Sequence, residues 1–290
     1  MTKAISSAPK ERASSAGGVS KASERGHSIG CDTIQIFTRN QYRWASKPLD
    51  PAEIERWRAA SQETGIILVV SHASYLINLG SPDDALWEKS IDALLDELQR
   101  AEMLGLLGVV LHPGAHMEQG EEVGIARVAA GLVRAHAATA SFRTLTLLEI
   151  TAGQGTTLGY KFEHLVAMRQ QVADPARVAV CFDTCHAFAA GYDFRTAEDY
   201  AAMIDAFDRT IGLDLLKCFH LNDSKGTLGN RKDRHEQIGQ GGIGLSGFAH
   251  IFNDARFDGI PMLLETEKSD DLHEDIENLA VLRRLVRGQD

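Results

Sequence analysis

The sequence predicts an α/β chain folded as a single-domain (β/α)8 barrel whose first strand is atypical or missing. Three observations predict it. Short β-branched or leucine-rich runs recur along the chain, longer amphipathic stretches separate them, and no GxGxxG fingerprint follows any run. Continuous apolar strands alternating with helices imply a parallel sheet covered on both faces. Seven such runs, each about one βα unit from the next, fit a closed barrel better than an open doubly wound sheet.

Residues 1–18, rich in Ser, Ala, Lys and Gly, read as a polar, flexible N-terminal segment, and 19–290 as the barrel domain. The strand runs are Thr33–Thr38, Ile66–His72, Gly108–His112, Thr144–Thr151, Val178–Asp183, Leu215–Leu221 and Pro261–Thr266. Room for an eighth strand remains only near Lys10–Ala16, whose residues have little strand character. The helix after the second run shows the 3.6-residue period, with Trp87, Ile91, Leu94, Leu95 and Leu98 on one face. The last helix repeats it with Leu272, Ile276, Leu279 and Leu282.

The composition is that of a globular chain: 44% hydrophobic and 24% charged. No apolar run approaches the roughly 18 residues needed to cross a bilayer. The start shows no secretory signal, so no membrane association and a cytoplasmic location are expected. Four cysteines without CxxC spacing read as reduced. The net charge of −10 argues against a broad grip on nucleic acid but allows a local basic face. Such a face is offered by Lys225, Arg231, Lys232 and Arg234, while seven acids crowd residues 265–277. Apart from Glu265, those acids read as a solvated helix start.

The chemistry lies at the strand ends. His72, His112, Glu149, Asp183, His220 and Glu265 follow one another at separations of one βα unit, and in a parallel barrel these ends meet on one rim. One such residue alone is more often a hydrogen-bonded rim residue than a ligand. Six in succession bring three carboxylates into one partly desolvated cavity, where only cations relieve their repulsion. Asp183-Thr-Cys-His186 and Asp233-Arg-His235 add His186, Asp233 and His235. Nine ligand-type residues suit two or three metals rather than one. His27, His136, His164, His250 and His273 lack this context and read as surface or packing residues. His116 is intermediate between these and a supporting residue, Cys185 reads as a small buried filler more readily than as a zinc thiolate, and Gly239–Gly244 as a flexible turn only loosely like a phosphate loop.

Several segments together resemble the endonuclease IV family. They are His72-Ala-Ser-Tyr-Leu-Ile-Asn-Leu79, Leu111-His-Pro-Gly114, Glu149 with Thr151-Ala-Gly-Gln-Gly155, and Asp183-Thr-Cys-His-Ala-Phe-Ala-Ala-Gly-Tyr192. His220-Leu-Asn-Asp223, Asp233-Arg-His235 and Leu264-Glu265-Thr266 complete the pattern, which runs from about Gly17 to the C-terminus. The resemblance implies a monomeric zinc-dependent apurinic/apyrimidinic endonuclease of base-excision repair. Its substrate would be double-stranded DNA, cut 5′ to an abasic site by a water activated between zincs. It also implies three Zn2+ per chain: one on His72, His112 and Glu149, a second on Glu149, Asp183, His220 and Glu265, a third on His186, Asp233 and His235. Glu149 would bridge the first two and act as the catalytic carboxylate. The family's first strand usually carries Gly-Ala-His before a Gly-Gly pair. Here Lys10–Ala16 precedes Gly17-Gly18, with Arg12 in place of that His, and Ile150 replaces the Asn that often follows the bridging Glu.

DNA contacts are expected from loops above the rim. Phe37-Thr-Arg-Asn-Gln-Tyr-Arg-Trp44 interleaves aromatic and basic residues, and by resemblance Gln41, Tyr42 and Arg43 fill the stack left by a flipped-out abasic nucleotide. Trp44 reads equally well as a core residue. Tyr75 would shape the sugar pocket, and Lys225, Arg231, Lys232 and Arg234 would meet phosphates. Two other readings are compatible with the ligand set: a divalent-metal sugar isomerase or epimerase on the same barrel, and a non-catalytic damage-binding protein.

Overall fold

Eight parallel strands and the helices between them build the barrel that the computed structural model describes for residues 18–286, with the backbone of residues 5–7. In chain order these are β1 (Ile5–Ser7), α1 (Ser20–Ser28), β2 (Ile34–Ile36), α2 (Pro51–Thr64), β3 (Val69–His72), α3 (Asp84–Leu104), β4 (Gly108–Leu111), α4 (Glu121–Ala138) and β5 (Leu145–Glu149). They continue with α5 (Phe162–Gln170), β6 (Val178–Asp183), α6 (Thr184–Ala190), α7 (Ala197–Thr210) and β7 (Leu216–His220). A two-stranded ribbon of β8 (Asp223–Ser224) and β9 (His235–Glu236) precedes α8 (Gly244–Phe252), β10 (Met262–Leu264) and α9 (His273–Arg284).

The hydrogen-bonded order is β1-β10-β7-β6-β5-β4-β3-β2. The end strands β1 and β2 touch but share no ladder among the described residues, so the barrel closes at an unsealed seam. All seven expected strands are present, generally shorter than the apolar runs that signalled them. Lys10–Ala16, the expected place of the first strand, lies outside the described residues. A strand precedes it at Ile5–Ser7, paired with Met262–Leu264, so the segment expected to be a tail contributes a barrel strand. A parallel ladder is made by backbone groups, and a three-residue Ile-Ser-Ser stretch satisfies it with little help from strand propensity.

Period-two alternation sorts each strand into two cores. Val70, Val110, Leu147, Cys181, Cys218 and Leu263 fill the barrel interior, whereas Val69, Val109, Leu148, Val180, Phe219 and Leu264 face the helices. Along α3, Ile91, Leu94 and Leu98 are buried, while Trp87 and Leu95 are half-buried beside them. Along α9 the expected face is displaced. Ile276 is 47% exposed, and Asp275 and Asn278 are buried with Leu279 and Leu282. Asp275 accepts from Lys268 Nζ at 2.8 Å, and Asn278 accepts Ile238 N–H at 2.9 Å. Partnered polar groups thus replace an apolar residue, and the 265–277 acids are not all solvated.

All four cysteines are free and buried. No helix among the described residues is long and apolar enough to cross a membrane.

Candidate metal centre

Each strand-end residue lies two positions beyond an interior core residue: Val70 then His72, Val110 then His112, Leu147 then Glu149, Cys181 then Asp183, Cys218 then His220, Leu263 then Glu265. Inward packing of the first aims the second into the same lumen, one layer higher. Among the groups of ligand atoms that result within 4.8 Å of one another are His72, His112 and Glu149; Glu149, Asp183, His220 and Glu265; and His186, Asp233 and His235.

Glu149 is fully buried at the centre. Its Oε2 lies 3.2 Å from His72 Nε2 and 3.0 Å from His112 Nε2; its Oε1 lies 3.1 Å from His220 Nδ1 and 3.2 Å from His186 Nδ1. The two oxygens therefore face different groups. Burial pushes the Glu149 carboxyl up, but the His112 and His220 imidazoles outweigh it and hold it well below the usual carboxylate range. Burial also pulls the His186 and His220 imidazoles down; Asp183 and Asp233 more than reverse it for His186, and Cys181 followed by Glu265 and Glu149 do so for His220. The cavity demands positive charge.

The donor geometry fits metal ions. His72 Nδ1 lies 2.7 Å from the Ala73 carbonyl, His186 Nδ1 3.0 Å from that of Ile150 and His235 Nδ1 3.1 Å from that of Glu265. A carbonyl only accepts, so each Nδ1 carries a proton, which leaves Nε2 as the atom that would ligate a metal. His186 Nε2 is buried 3.3 Å from Asp233 Oδ2 without hydrogen-bond alignment, as expected of two donors converging on a third point. His235 Nε2 lies 3.2 Å from Asp233 Oδ1.

Two supporting residues escaped the sequence reading. Gln35, fully inward on β2, accepts from His220 Nε2 at 2.8 Å and donates to Glu265 Oε1 at 2.7 Å. Asn222 donates to Asp183 Oδ2 at 2.7 Å and accepts Glu265 N–H at 2.8 Å. Gln35 was discoverable from the alternation within Thr33–Thr38; Asn222 stands inside His220-Leu-Asn-Asp223.

Tyr42, Tyr75, His112, His186, Asp233, His235 and Glu265 line a cavity of about 240 Å3 above the cluster. Small-molecule sites usually span roughly 300–1,000 Å3, so this one admits a sugar or a phosphate group rather than a base pair. The Tyr42 and Tyr75 ring centroids are 5.9 Å apart.

A family model described as a xylose isomerase-like TIM barrel, AP endonuclease 2, matches residues 24–285. The chain is 51% identical over 272 residues to the probable endonuclease 4 of Chloroflexus aurantiacus, covering 94% of this chain and 95% of that one. The endonuclease IV structure from Thermus thermophilus superposes with a TM-score of 0.80 at 39% identity, over 93% and 94% of the two chains. The chain belongs to the endonuclease IV family. A D-tagatose 3-epimerase-like protein, with a TM-score of 0.74 at 16% identity over 98% and 97%, shares the fold alone.

Within this endonuclease IV family chain, the expected DNA-facing residues divide. Tyr42 and Arg43 are exposed, but Gln41 is 7% exposed and turned inward, with its backbone carbonyl accepting from Ser74 Oγ at 2.7 Å. Trp44 is half-buried against the core with Lys89 Nζ 4.4 Å from its ring. Lys225 and Lys232 are exposed with Arg234, and the Arg231 guanidinium lies 4.4 Å from the Tyr160 ring. His116 Nδ1 accepts Gly120 N–H at 3.2 Å and closes its own loop. Cys185 is buried beside Asp183 and His235, with Sγ directed at the Arg234 carbonyl.

The Gly239–Gly244 segment is an anion-binding loop, and its anion is internal. The Asp223 carboxylate accepts the N–H groups of Gly239, Gly241, Ile243 and Gly244 at 3.2 Å or less, besides that of Ser224. A Cβ on Gly241 would meet Ser224 O at 2.4 Å, so only glycine allows this approach.

Proposed function

We propose that this chain is a zinc-dependent AP endonuclease that hydrolyses the phosphodiester 5′ to an abasic site, leaving a 3′-hydroxyl and a 5′-deoxyribose phosphate for base-excision repair. The coarser statement follows from family membership: the chain is an endonuclease, a phosphoric diester hydrolase acting on DNA. Abasic specificity, zinc, action as a monomer and a cytoplasmic, nucleoid-associated setting belong to the proposal. The observation that carries it is Glu149, fully buried, whose two oxygens face two separate donor groups, with His112 and His186 between it and a cavity that two tyrosines line.

His72, His112 and Glu149 would hold one zinc, Glu149, Asp183, His220 and Glu265 a second, and His186, Asp233 and His235 a third. Imidazole and carboxylate donors at three to four per ion match zinc's preference for about four ligands, the open positions being left to water and phosphate. When bound, zinc acidifies water to a pKa of about 7 and neutralises charge building on the phosphate. Glu149 would be shared by the first two zincs and would orient the attacking water, its buried charge being balanced without movement of the side chain. Gln35 and Asn222 keep His220, Asp183 and Glu265 from rotating away. No lysine or other side-chain nucleophile is required, so direct hydrolysis rather than β-elimination follows.

At the mouth, Tyr42 stacks in the gap left by the extruded nucleotide, Arg43 flanks it and Tyr75 walls the sugar. Lys225, Arg231, Lys232 and Arg234 contact phosphates without reading sequence. The epimerase reading leaves His186, Asp233 and His235 without a task. Metal analysis paired with an incision assay on an abasic duplex tests the proposal. About three zincs per chain and incision abolished by chelation are expected. A single zinc, incision surviving exhaustive chelation, or turnover of a ketose instead of abasic DNA would overturn it.

A further inference from the structure

The loops that carry Tyr42 and Tyr75 start from different strands, and one buried residue of neither loop joins them. Glu97, on α3, is fully buried. Thr38 O–H donates to its Oε2 at 2.7 Å, and Ser74 N–H donates to its Oε1 at 3.2 Å. Thr38 opens the Tyr42 loop; Ser74 precedes Tyr75. A third bond closes the triangle, from Ser74 Oγ to the Gln41 carbonyl.

Charged neighbours brace the same junction. Arg39, 3% exposed, donates to Asp96 Oδ2 at 2.7 Å and to the carbonyls of Arg43 and Trp44, while its Nε stands 3.9 Å from Glu97 Oε1. Arg100 donates to the Thr38 carbonyl at 3.2 Å and to the Lys47 carbonyl. The tip between residues 40 and 43 is thus closed by Arg39 and anchored to α3. Beyond it, the Tyr75 ring is 5.9 Å from Tyr42 and 5.1 Å from His72.

We propose that Glu97 is a positioning residue for DNA, fixing the Tyr42 and Tyr75 loops against each other so that both rings meet an abasic nucleotide in one geometry. This rests on the reading of the cavity mouth as the DNA-facing surface. A carboxylate suits the task because its two oxygens accept from two loops at once, and burial makes each bond costly to break. Burial pushes the Glu97 carboxyl up to about 7 against the pull of Thr38 and Arg39. A neutral side chain is therefore tolerated there, and Glu97→Gln is the variant expected to fold.

The test uses zinc-loaded full chain with Glu97→Ala and Glu97→Gln. In Glu97→Ala, amides of residues 38–47 and of Ser74 should exchange at least about 10-fold faster, with the β4 and β5 amides unchanged. KM for an abasic duplex should rise about 10-fold or more, kcat should stay within about 3-fold and zinc content should not change. Glu97→Gln, which retains one acceptor, should fall between and stands in if the alanine variant does not fold. Unchanged loop exchange, or a kcat loss with unaltered KM, would overturn the proposal. If the wild-type chain does not incise abasic DNA, the functional reading falls, and the exchange measurement still decides whether Glu97 joins the loops.

Discussion

Asp183 Oδ1 accepts His186 N–H at 2.7 Å, so one carboxylate both ends strand β6 and caps helix α6. The bond sets the rotation of the helix that presents His186, coupling the second donor group to the third. Separating the two roles gives the first expected outcome. Asp183→Asn keeps an acceptor for the cap but loses the Asn222 bond, and should lose zinc at a cost in stability of about 1–3 kcal/mol. Asp183→Ala loses the cap as well and should unfold more easily by a further roughly 1 kcal/mol. Urea unfolding of the metal-free proteins, with zinc counted separately, distinguishes them.

Glu149→Gln keeps the size of the side chain and removes its charge. Binding to an abasic duplex should persist while single-turnover incision falls by about 1,000-fold or more. Incision at the wild-type rate would refute the bridging role.

Asp223→Ala should be among the most destabilising single changes outside the metal cluster. It leaves the amides of Gly239, Gly241, Ile243 and Gly244 facing a void, at a cost of about 3–5 kcal/mol. Added formate should recover part of that loss by refilling the nest. A midpoint of urea unfolding equal to that of wild type would contradict this account.

His136 supplies a pH dependence away from the cluster. Burial lowers its pKa to about 4 from 6.5, with the nearby Arg177 charge adding to the shift, while its Nε2 bonds Thr146 Oγ1. The unfolded chain therefore binds a proton that the folded chain refuses. Stability from this group is complete above pH 6.5 and is lost as pH falls toward 4, by about 3 kcal/mol in all. The difference between wild-type and His136→Gln stability should narrow over that window. A constant difference would show that His136 does not titrate there.

Metal removal should lower the unfolding temperature and leave a folded barrel, since the interior layer of Val70, Val110, Leu147, Cys181, Cys218 and Leu263 packs without ions. Calorimetry before and after exhaustive chelation, with circular dichroism of the stripped protein, measures both. Loss of the far-ultraviolet signal on chelation would show that the ions hold the fold.

The sequence alone determined the parallel barrel and the strand-end residues, because both follow from local periods. A period of two within a strand, repeated once per βα unit, places His72, His112, Glu149, Asp183, His220 and Glu265 at equivalent positions, and barrel closure turns equivalence into convergence. Only the tertiary structure decided what depends on partners distant in the chain. Ile5–Ser7 is a strand because the backbone of β10, near the other end of the chain, is open to it. The Gly239–Gly244 loop is filled by Asp223, the buried face of α9 is set by Lys268 and Ile238, and Gln35 is held in place through His220 and Glu265. In each case a buried polar group must find its partner in space, and sequence periodicity carries no record of which one it finds.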